Sequence, residues 1–262
     1  MNRKDTKKVA VVIPARHNSE RLPGKPLIKI NGETLVMKTF KKVNKVFSVE
    51  DIYIVSDSQK VLDEFKNISK NLILVKRNCL NGTERCSYAI NKIKKNYKYF
   101  LITSCDMPFL NIGVLKYLIK KINSTKKMYD AFTVHTPIKN LSILKNKNIG
   151  KVVLNLNSEI IYISRNSIPS LRNYNHDSFS KKKKKLFFSH HGLMAIKKPI
   201  LKKYAHLKNS YLQISEDNEW LKLIEYGYKI KSFYYKSIAP EINTKKDLKK
   251  FIPIYFKKTF AK

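Results

Sequence analysis

The sequence predicts an α/β fold built around a mainly parallel β-sheet. Short apolar runs typical of buried strands recur along the first half of the chain, segments of helical spacing separate them, and this alternation repeats every roughly 20–30 residues. The chain has 262 residues and can bury a substantial core, either as one large domain or as one with an inserted lobe. In folds of this class, ligands bind at the carboxyl ends of the parallel strands.

The individual elements follow from the same patterns. Predicted strands cover residues 9–13, 52–55, 72–75, 99–103, 131–136, 151–156, 159–164, 188–195 and 230–235. Predicted helices cover residues 34–46, 59–68, 86–95, 110–122, 216–226 and a C-terminal segment that starts at 245–251. The polar stretch 172–185 is expected to be a mobile loop.

Composition narrows the class of protein. Hydrophobic residues make up 43% of the chain, as in globular proteins. No run approaches the roughly 20 apolar residues of a membrane-spanning helix, and the polar residues 1–8 do not resemble a secretory signal. The three cysteines, Cys79, Cys86 and Cys105, lack metal-ligand spacing and are odd in number. These features predict a cytoplasmic protein without a membrane partner.

The formal net charge of the chain at pH 7 is +35, because it has 54 Lys and Arg residues and only 19 Asp and Glu residues. Such a charge is typical of nucleic-acid-binding proteins. Here, however, lysine dominates and is spread through nearly every segment beside abundant Asn and Ile, a bias that A/T-rich codons produce. No specific nucleic-acid partner is therefore expected, although weak binding at low salt is expected either way.

A basic loop follows the first predicted strand. The apolar run breaks at Pro14 into a loop that contains Arg16, Arg21 and Lys25, and Gly24 helps to fix its path. Three cations on a stiff loop suit a polyphosphate, because charge-assisted hydrogen bonds to phosphate are strong. The glycine spacings of the dinucleotide and Walker motifs are absent. The alternative is a basic surface turn.

An acidic residue follows a second central strand. Asp106 comes after the strand at 99–103 and precedes Pro108, which places its carboxylate at the ligand-binding edge, together with Arg16 and Arg85. A carboxylate there is a suitable ligand for Mg²⁺. The alternative is an aspartate that opens a turn before proline. Glu84 beside Arg85 is expected to pair with it or to hold a nucleotide, with a surface ion pair as the alternative.

Several segments resemble one known family. Residues 15–27 have the pattern Ala-Arg-x-x-Ser-x-Arg-Leu-Pro-Gly-Lys-Pro-Leu, and residues 81–85 are Asn-Gly-Thr-Glu-Arg. Residues 151–154 (Lys-Val-Val-Leu), 162–169 (Tyr-Ile-Ser-Arg-Asn-Ser-Ile-Pro) and 190–192 (His-His-Gly) follow in order. Together these segments resemble the motifs of the 3-deoxy-manno-octulosonate (Kdo) cytidylyltransferases, over roughly residues 8 to 250.

The resemblance implies a function and an architecture. It implies an enzyme that transfers CMP from CTP to Kdo and releases pyrophosphate, for lipopolysaccharide synthesis, with Mg²⁺ as cofactor. It also implies a doubly wound, nucleotide-diphospho-sugar transferase-like sheet with a smaller α+β lobe that binds sugar and forms a homodimer. The expected parts are residues 1–130 for nucleotide binding, 131–210 for the lobe, and 211–262 for the return to the α/β part.

The resemblance also implies roles for particular residues. CTP is expected to contact Arg16, Ser19, Arg21, Lys25, Gly82, Thr83 and Arg85, and the catalytic residues are expected to be Arg16, Lys25 and Asp106. The sugar is expected to contact Arg165, His190 and Glu219, and the metal Asp106 and Asn243. A structural role is the alternative for His190, and His191 is expected to be structural.

Four positions depart from the family pattern. Met107 and Asn243 stand where the family usually has carboxylates, while Met194 and Trp220 stand where it has Tyr and Gln. The first pair predicts weaker metal binding, and the second pair removes groups that would bind sugar hydroxyls. Two alternatives therefore remain: a cytidylyltransferase for another sugar acid, or a nucleotide-binding paralogue with weakened catalysis. A nucleic-acid-binding protein ranks last.

The substitution Asn243→Asp tests the expected metal role. An added carboxylate beside the ion should lower the Mg²⁺ concentration for half-maximal rate several-fold, because Mg²⁺ prefers charged oxygen ligands. A Mg²⁺ titration of pyrophosphate release measures this. An unchanged titration would place residue 243 away from the metal and favour the alternative, that Asn243 and Thr244 cap a helix.

Overall fold

A computed structural model describes residues 9–17, 22–170, 186–238, 241–242 and 247–249. Its strands, in chain order, are β1 (Val9–Ala15), β2 (Lys29–Ile30), β3 (Glu33–Thr34), β4 (Ile52–Ser56), β5 (Leu72–Leu74), β6 (Tyr99–Thr103), β7 (Ala131–Pro137), β8 (Lys151–Leu154), β9 (Ile160–Ser164), β10 (Phe188–Lys197) and β11 (Ile230–Tyr234). Its α-helices are α1 (Leu35–Asn44), α2 (Gln59–Asp63), α3 (Gly82–Ala89), α4 (Ile112–Ser124), α5 (Leu141–Lys145), α6 (Lys198–Tyr204), α7 (Tyr211–Ser215) and α8 (Leu221–Glu225).

The main sheet has the strand order β11-β7-β10-β6-β1-β4-β5. β1 pairs in parallel with β4 and β6, β4 with β5, and β7 with β11, whereas β10 is antiparallel to both of its neighbours. β8 pairs with β10, and β9 with β8. The predicted α/β class with a mainly parallel sheet is confirmed. The boundaries at residues 130 and 210 remain predictions.

The register of the central strands positions the site. Ala15 pairs with Ser56 at the end of β4, and Val12 pairs with Ile102 near the end of β6. Because these strands are parallel, the loops that follow them begin at one edge of the sheet. This is the edge at which Arg16 and Asp106 were expected.

Two apolar layers cover the sheet. Val9, Val11 and Ile13 of β1 belong to a cluster with residues of α1, α2 and α4. The alternating Ala10 and Val12 belong to a second cluster with residues of α3, α6 and α8. Side chains of a strand point alternately to its two faces, so β1 is buried on both. This arrangement is the predicted doubly wound one. No helix in the described part of the chain has the length and apolar character to span a bilayer.

Some predicted helices differ from the observed ones. The predicted helix 86–95 begins earlier, at Gly82, because the Asn81 side chain accepts the Glu84 N–H and caps it. Only α8 (Leu221–Glu225) of the predicted helix 216–226 is helical, and it begins late because Asp217, with a left-handed φ of 46°, lies in the turn that follows α7.

The remaining differences concern short elements and elements outside the described residues. Helix α2 ends at Asp63, well before the predicted end at residue 68. Helices α5 and α6 were not predicted, because each has fewer than eight residues and gives little periodic signal. The predicted loop 172–185 and most of the predicted helix from 245 lie outside the described residues.

Phe40 tests the packing of α1 on the sheet. Its ring is 2% exposed and meets the Phe65 ring edge-on, with the centroids 5.2 Å apart. Phe40→Ala should lower the free energy of unfolding by about 3–5 kcal/mol, because it removes buried area and leaves a cavity. Urea denaturation measures the loss, with Lys45→Ala, at the exposed residue that follows the same helix, as a control. A loss below about 1 kcal/mol would contradict this packing.

Candidate active site

The loop after β1 begins at the sheet edge. The Ser56 hydroxyl donates to the Ala15 carbonyl at 2.7 Å, which ties the end of β1 to β4. Arg16 follows, half-buried. Gly24 N donates to His17 O at 3.0 Å and closes the loop, and Gly24 has a φ of 67°, in the left-handed region that favours glycine. Ser19 and Arg21 lie outside the described residues.

Lys25 and Asp106 form an ion pair at this edge. Lys25 opens a short 3₁₀ helix, Lys25–Leu27, and its ammonium donates to Asp106 Oδ2. Asp106 is 4% exposed, and no partner for its buried Oδ1 is found among the described residues. Thr39 of α1 donates to the Cys105 carbonyl at 2.9 Å and holds the loop after β6. Two residues predicted to be catalytic are therefore in direct contact.

The cysteines are not arranged for catalysis. All three are free thiols and buried. Burial, and next the charge of Asp106, raise the pKa of Cys105 to about 12, so it stays a thiol at neutral pH. This agrees with the expectation that Cys105 is a poor nucleophile.

Asp57 connects the basic loop to helix α3. Its Oδ1 accepts the His17 N–H at 2.9 Å, and its Oδ2 lies 3.4 Å from Arg85 Nη2. Arg85 is only 3% exposed, and its Nη1 donates to the Val75 carbonyl at 2.7 Å. The expectation that Arg85 pairs with Glu84 was wrong, and so was the surface ion pair. Glu84 instead accepts the Leu80 N–H at 2.8 Å, and contact between Arg85 and CTP stays a prediction.

The first turn of α3 lies against the end of β1. A Cβ at Gly82 would be 3.2 Å from Pro14 Cγ, so glycine allows this close approach. The Thr83 N–H donates to Glu219 Oε2 at 2.9 Å. Burial raises the pKa of Glu219. Glu219, predicted to bind sugar, thus touches the segment predicted to bind CTP.

Arg165 is held in place by the turn between α7 and α8. Its Nε donates to the Glu216 carbonyl at 2.9 Å, and its Nη2 lies 2.9 Å from Asp217 Oδ2. The Glu216 carboxylate accepts from Tyr162, Ser164 and the Arg165 N–H at 3.0, 2.6 and 2.8 Å. Burial raises the pKa of Glu216, but these hydrogen bonds outweigh burial and the net shift is downward.

Lys151 holds the backbone of the same residue. Its side chain is fully buried, and its ammonium donates to the carbonyls of Ile149 (2.8 Å), Asn146 (3.0 Å) and Arg165. Burial, and next the charge of Arg165, lower the pKa of Lys151 to about 8. Lys151 therefore fixes the backbone of a residue predicted to bind sugar.

His190 lies against Trp220. The ring centroids are 4.1 Å apart, and His190 Nε2 is buried with no partner among the residues that the structure describes. Burial, and next the charge of His191, lower the pKa of His190 to about 3. Met194 is fully buried in the apolar cluster with Trp220. His191 Nε2 bonds to the Thr136 hydroxyl at 2.8 Å, in line with its expected structural role.

The site contains little preformed metal coordination. Among the described residues, no group of three or more His, Cys, Asp or Glu side chains is arranged to hold a metal ion. Mg²⁺ usually takes only one or two carboxylates and completes its octahedron with water and phosphate. Asp106 matches such a site. Met107 does not, because its side chain is 1% exposed and packs in the core. Asn243 lies outside the described residues.

Comparison with known proteins identifies the family. The model of the family described as cytidylyltransferase matches residues 10–237. The chain belongs to the cytidylyltransferase family. A 3-deoxy-manno-octulosonate cytidylyltransferase from Cytophaga hutchinsonii is 30% identical over 247 residues, 92% of this chain and 94% of the relative. One from Rickettsia prowazekii is 29% identical over 93% of this chain and 94% of the relative. The resemblance predicted from the motifs is confirmed.

Solved structures of other cytidylyltransferases share the fold. A CMP:2-keto-3-deoxy-manno-octonic acid synthetase complexed with CTP is similar with a TM-score of 0.83, at 24% identity, over 96% of this chain and 99% of that one. An inositol-1-phosphate CTP transferase from T. maritima is similar with a TM-score of 0.66, at 16% identity, over 97% of both chains. The predicted fold of a nucleotide-sugar transferase is confirmed.

Three buried histidines predict acid sensitivity. Burial lowers the pKa of His135, His190 and His191 to about 4, 3 and 4, below the value of 6.5 in an unfolded chain. Between these values the unfolded chain binds more protons, so stability should fall as the pH drops below about 6.5, by up to about 1.4 kcal/mol per pH unit for each histidine. The melting temperature from pH 7.5 to 4.5 measures this fall.

A substitution distinguishes the protonation of buried histidines from other effects of low pH on stability. His191→Gln should reduce the pH dependence of the melting temperature, whereas His206→Gln, at an exposed position, should leave it unchanged. Identical slopes in the two variants would show that His191 does not contribute.

Proposed function

We propose that this cytidylyltransferase transfers CMP from CTP to Kdo and releases pyrophosphate, a step of lipopolysaccharide synthesis. The observation that supports it most is the contact between Lys25 and Asp106 where the basic loop after β1 meets the end of β6. A cation and a carboxylate at this edge suit a triphosphate and a divalent ion. Kdo is proposed as the sugar acid because the relatives are 3-deoxy-manno-octulosonate cytidylyltransferases.

Nucleotidyl transfer demands positioning and charge neutralisation more than covalent chemistry. A hydroxyl of the sugar acid attacks the α-phosphate and loses its proton to water, a new P–O bond forms, and the bond to pyrophosphate breaks. Arg16 and Lys25 neutralise the negative oxygens, which favours the charge that develops on the leaving group. Asp57 accepts the His17 N–H and lies beside Arg85, which fixes the start of the loop after β1 next to α3.

The cofactor proposed is Mg²⁺, with Asp106 as its ligand. Oδ1 of Asp106 is a buried carboxylate oxygen with no partner among the described residues, and such an oxygen fits a hard cation. When bound, the ion stabilises charge on the attacking and leaving oxygens. Asp106 would hold the ion, and Lys25 would then contact phosphate, because the ion would supply the positive charge beside the Asp106 carboxylate.

The sugar acid is proposed to lie between Arg165 and His190. Arg165 offers a guanidinium to the sugar carboxylate, and its geometry is fixed by Glu216 and Asp217. His190 is neutral and offers Nε2 to a hydroxyl. Glu219 contacts the segment that is proposed to bind CTP, because it accepts the Thr83 N–H. The Trp220 ring against His190 favours a second candidate, a different sugar acid with fewer hydroxyls at this position.

Pyrophosphate release tests the proposal. The protein is supplied with CTP and Mg²⁺, with Kdo or with a panel of related sugar acids, and with other nucleotides in place of CTP. Release that requires both CTP and Kdo is the expected result. Release with another acid would favour the second candidate. CTP binding without turnover on any acid would contradict both and favour a paralogue with weakened catalysis.

Asp106→Asn tests the carboxylate at the centre of the site. It keeps the shape of the side chain and removes its charge, so the rate should fall at least about 100-fold. The melting temperature should fall as well, because Lys25 loses its buried partner. Asp63→Asn, an exposed carboxylate on α2, is the matched control and should keep full activity. Retained activity of Asp106→Asn would remove Asp106 from the metal site.

A cytoplasmic homodimer is also proposed. β9 is the outer strand of the β8–β9 extension, Ile161 on it is 52% exposed, and Leu156 in the preceding turn is fully exposed. Exposed apolar side chains on an outer strand favour association with a second copy. Sedimentation velocity should give a mass roughly twice that of the 30.7 kDa chain. A monomeric mass would contradict the dimer.

A further inference from the structure

Helix α6 is attached to helix α3 at two points. The Ser87 hydroxyl of α3 accepts the Ala205 N–H at 3.0 Å and donates to the Lys202 carbonyl at 3.3 Å. Tyr204, the last residue of α6, is fully buried. The Asn81 side chain, which caps α3, donates from Nδ2 to the Tyr204 hydroxyl at 3.4 Å. Helix α6 therefore contacts the capping residue of the segment that is predicted to bind CTP.

The Tyr204 hydroxyl also holds Glu219. It donates to the Glu219 carbonyl at 2.7 Å, and Glu219 Oε2 accepts the Thr83 N–H at 2.9 Å. Burial, and next the charge of Glu219, raise the pKa of Tyr204, so its hydroxyl remains a donor at neutral pH. These contacts form a closed cycle that runs from Asn81 through Tyr204 and Glu219 to Thr83. A single hydroxyl thus connects both the cap and the first turn of α3 to Glu219.

We propose that Tyr204 is a positioning residue for CTP, and that its hydroxyl fixes the first turn of α3 in the geometry that binds the nucleotide. The inference rests on the proposed function, because that function supplies CTP. Tyr204 acts through Asn81 and Glu219 and is not itself a catalytic residue. A contact that holds a binding segment in its bound geometry strengthens binding, because less order has to be imposed when the ligand arrives.

The Tyr204 ring is held independently of its hydroxyl. The ammonium of Lys222, a residue that is 1% exposed, lies 4.7 Å from the centroid of this ring. The ring also packs in the apolar cluster on the α3 side of the sheet. Tyr204→Phe keeps the ring and these contacts and removes only the hydroxyl. This variant therefore separates the hydrogen bonds of Tyr204 from its packing.

A purely structural role for the hydroxyl makes a different prediction. If it only satisfies a buried carbonyl, its loss should lower stability and leave CTP binding unchanged. Tyr99 is the matched control, because it is also buried and its hydroxyl donates to the Tyr129 carbonyl at 3.1 Å. It lies at the start of β6, the end of that strand remote from the site. Tyr99→Phe should lower the melting temperature and keep the wild-type affinity for CTP.

Isothermal titration of CTP and Mg²⁺ into the full chain, without sugar acid, measures the effect. Tyr204→Phe should raise the Kd for CTP about fivefold, as expected for the loss of one buried hydrogen bond. In turnover with Kdo, the KM for CTP should rise by a similar factor and kcat should change little. Hydrogen exchange measured by mass spectrometry should become faster in the peptide that contains Thr83, because the cycle is opened.

Ser87→Ala provides a second test that keeps the Tyr204 hydroxyl. It removes both hydrogen bonds between Ser87 and the end of α6. Ser87 is 1% exposed, so its own side chain is not available to CTP. The Kd for CTP should rise, by less than in Tyr204→Phe, because Tyr204 loses only its support. If Tyr204→Phe does not fold, this variant decides the question.

The outcomes separate the two proposals. Wild-type CTP affinity in Tyr204→Phe, or in Ser87→Ala where the first variant is unfolded, overturns the role of Tyr204. An equal loss of affinity in Tyr99→Phe overturns it as well, because the effect would then follow from lower stability. If the wild type releases pyrophosphate from CTP and Kdo in either case, the proposed function stands. If the wild type binds no CTP, both proposals fail.

Discussion

The ion pair between Lys25 and Asp106 is the constraint on which the rest of the site depends. It joins the loop after β1 to the loop after β6, and both partners are largely buried, with 12% and 5% of their side chains exposed. Two opposite charges removed from water must stay together unless other charges replace their partners. A triphosphate can replace Asp106 as the partner of Lys25, and a divalent ion can replace Lys25 as the partner of Asp106. We therefore expect the proposed substrates to separate this pair.

The surrounding structure fixes the positions of these two loops relative to each other. The parallel pairing of β1 with β4 and β6 sets their starting points, Asp57 attaches the first loop to α3 through Arg85, and the segment at 241–242 holds the backbone of Asp106. The sugar side has a separate support, in which Glu216 and Lys151 fix the side chain and the backbone of Arg165. Buried, hydrogen-bonded groups of this kind hold functional side chains without adding to the reaction itself.

Much of the fold, and the sheet edge that holds the site, could be predicted from strand periodicity and strand order. The strand at 99–103 has the predicted bounds, and the edge shared by Arg16 and Asp106 follows from parallel pairing alone. The contacts of Arg85 and Arg165 were not predictable, because they join segments distant in the chain and depend on side-chain packing. Asp57 gave a usable signal, since it follows β4 as Asp106 follows β6.

The central claim is that CTP phosphates take Lys25 from Asp106. Isothermal titration of CTP in the presence of EDTA tests it most directly, with the wild type, Lys25→Met, Asp106→Asn and the double variant. Asp106→Asn should bind metal-free CTP several-fold more tightly than the wild type, and this gain should vanish when Lys25 is also replaced. Unchanged affinity in Asp106→Asn would contradict the claim. An equal gain in the Lys25→Met background would also contradict it, because the effect would then be general charge repulsion.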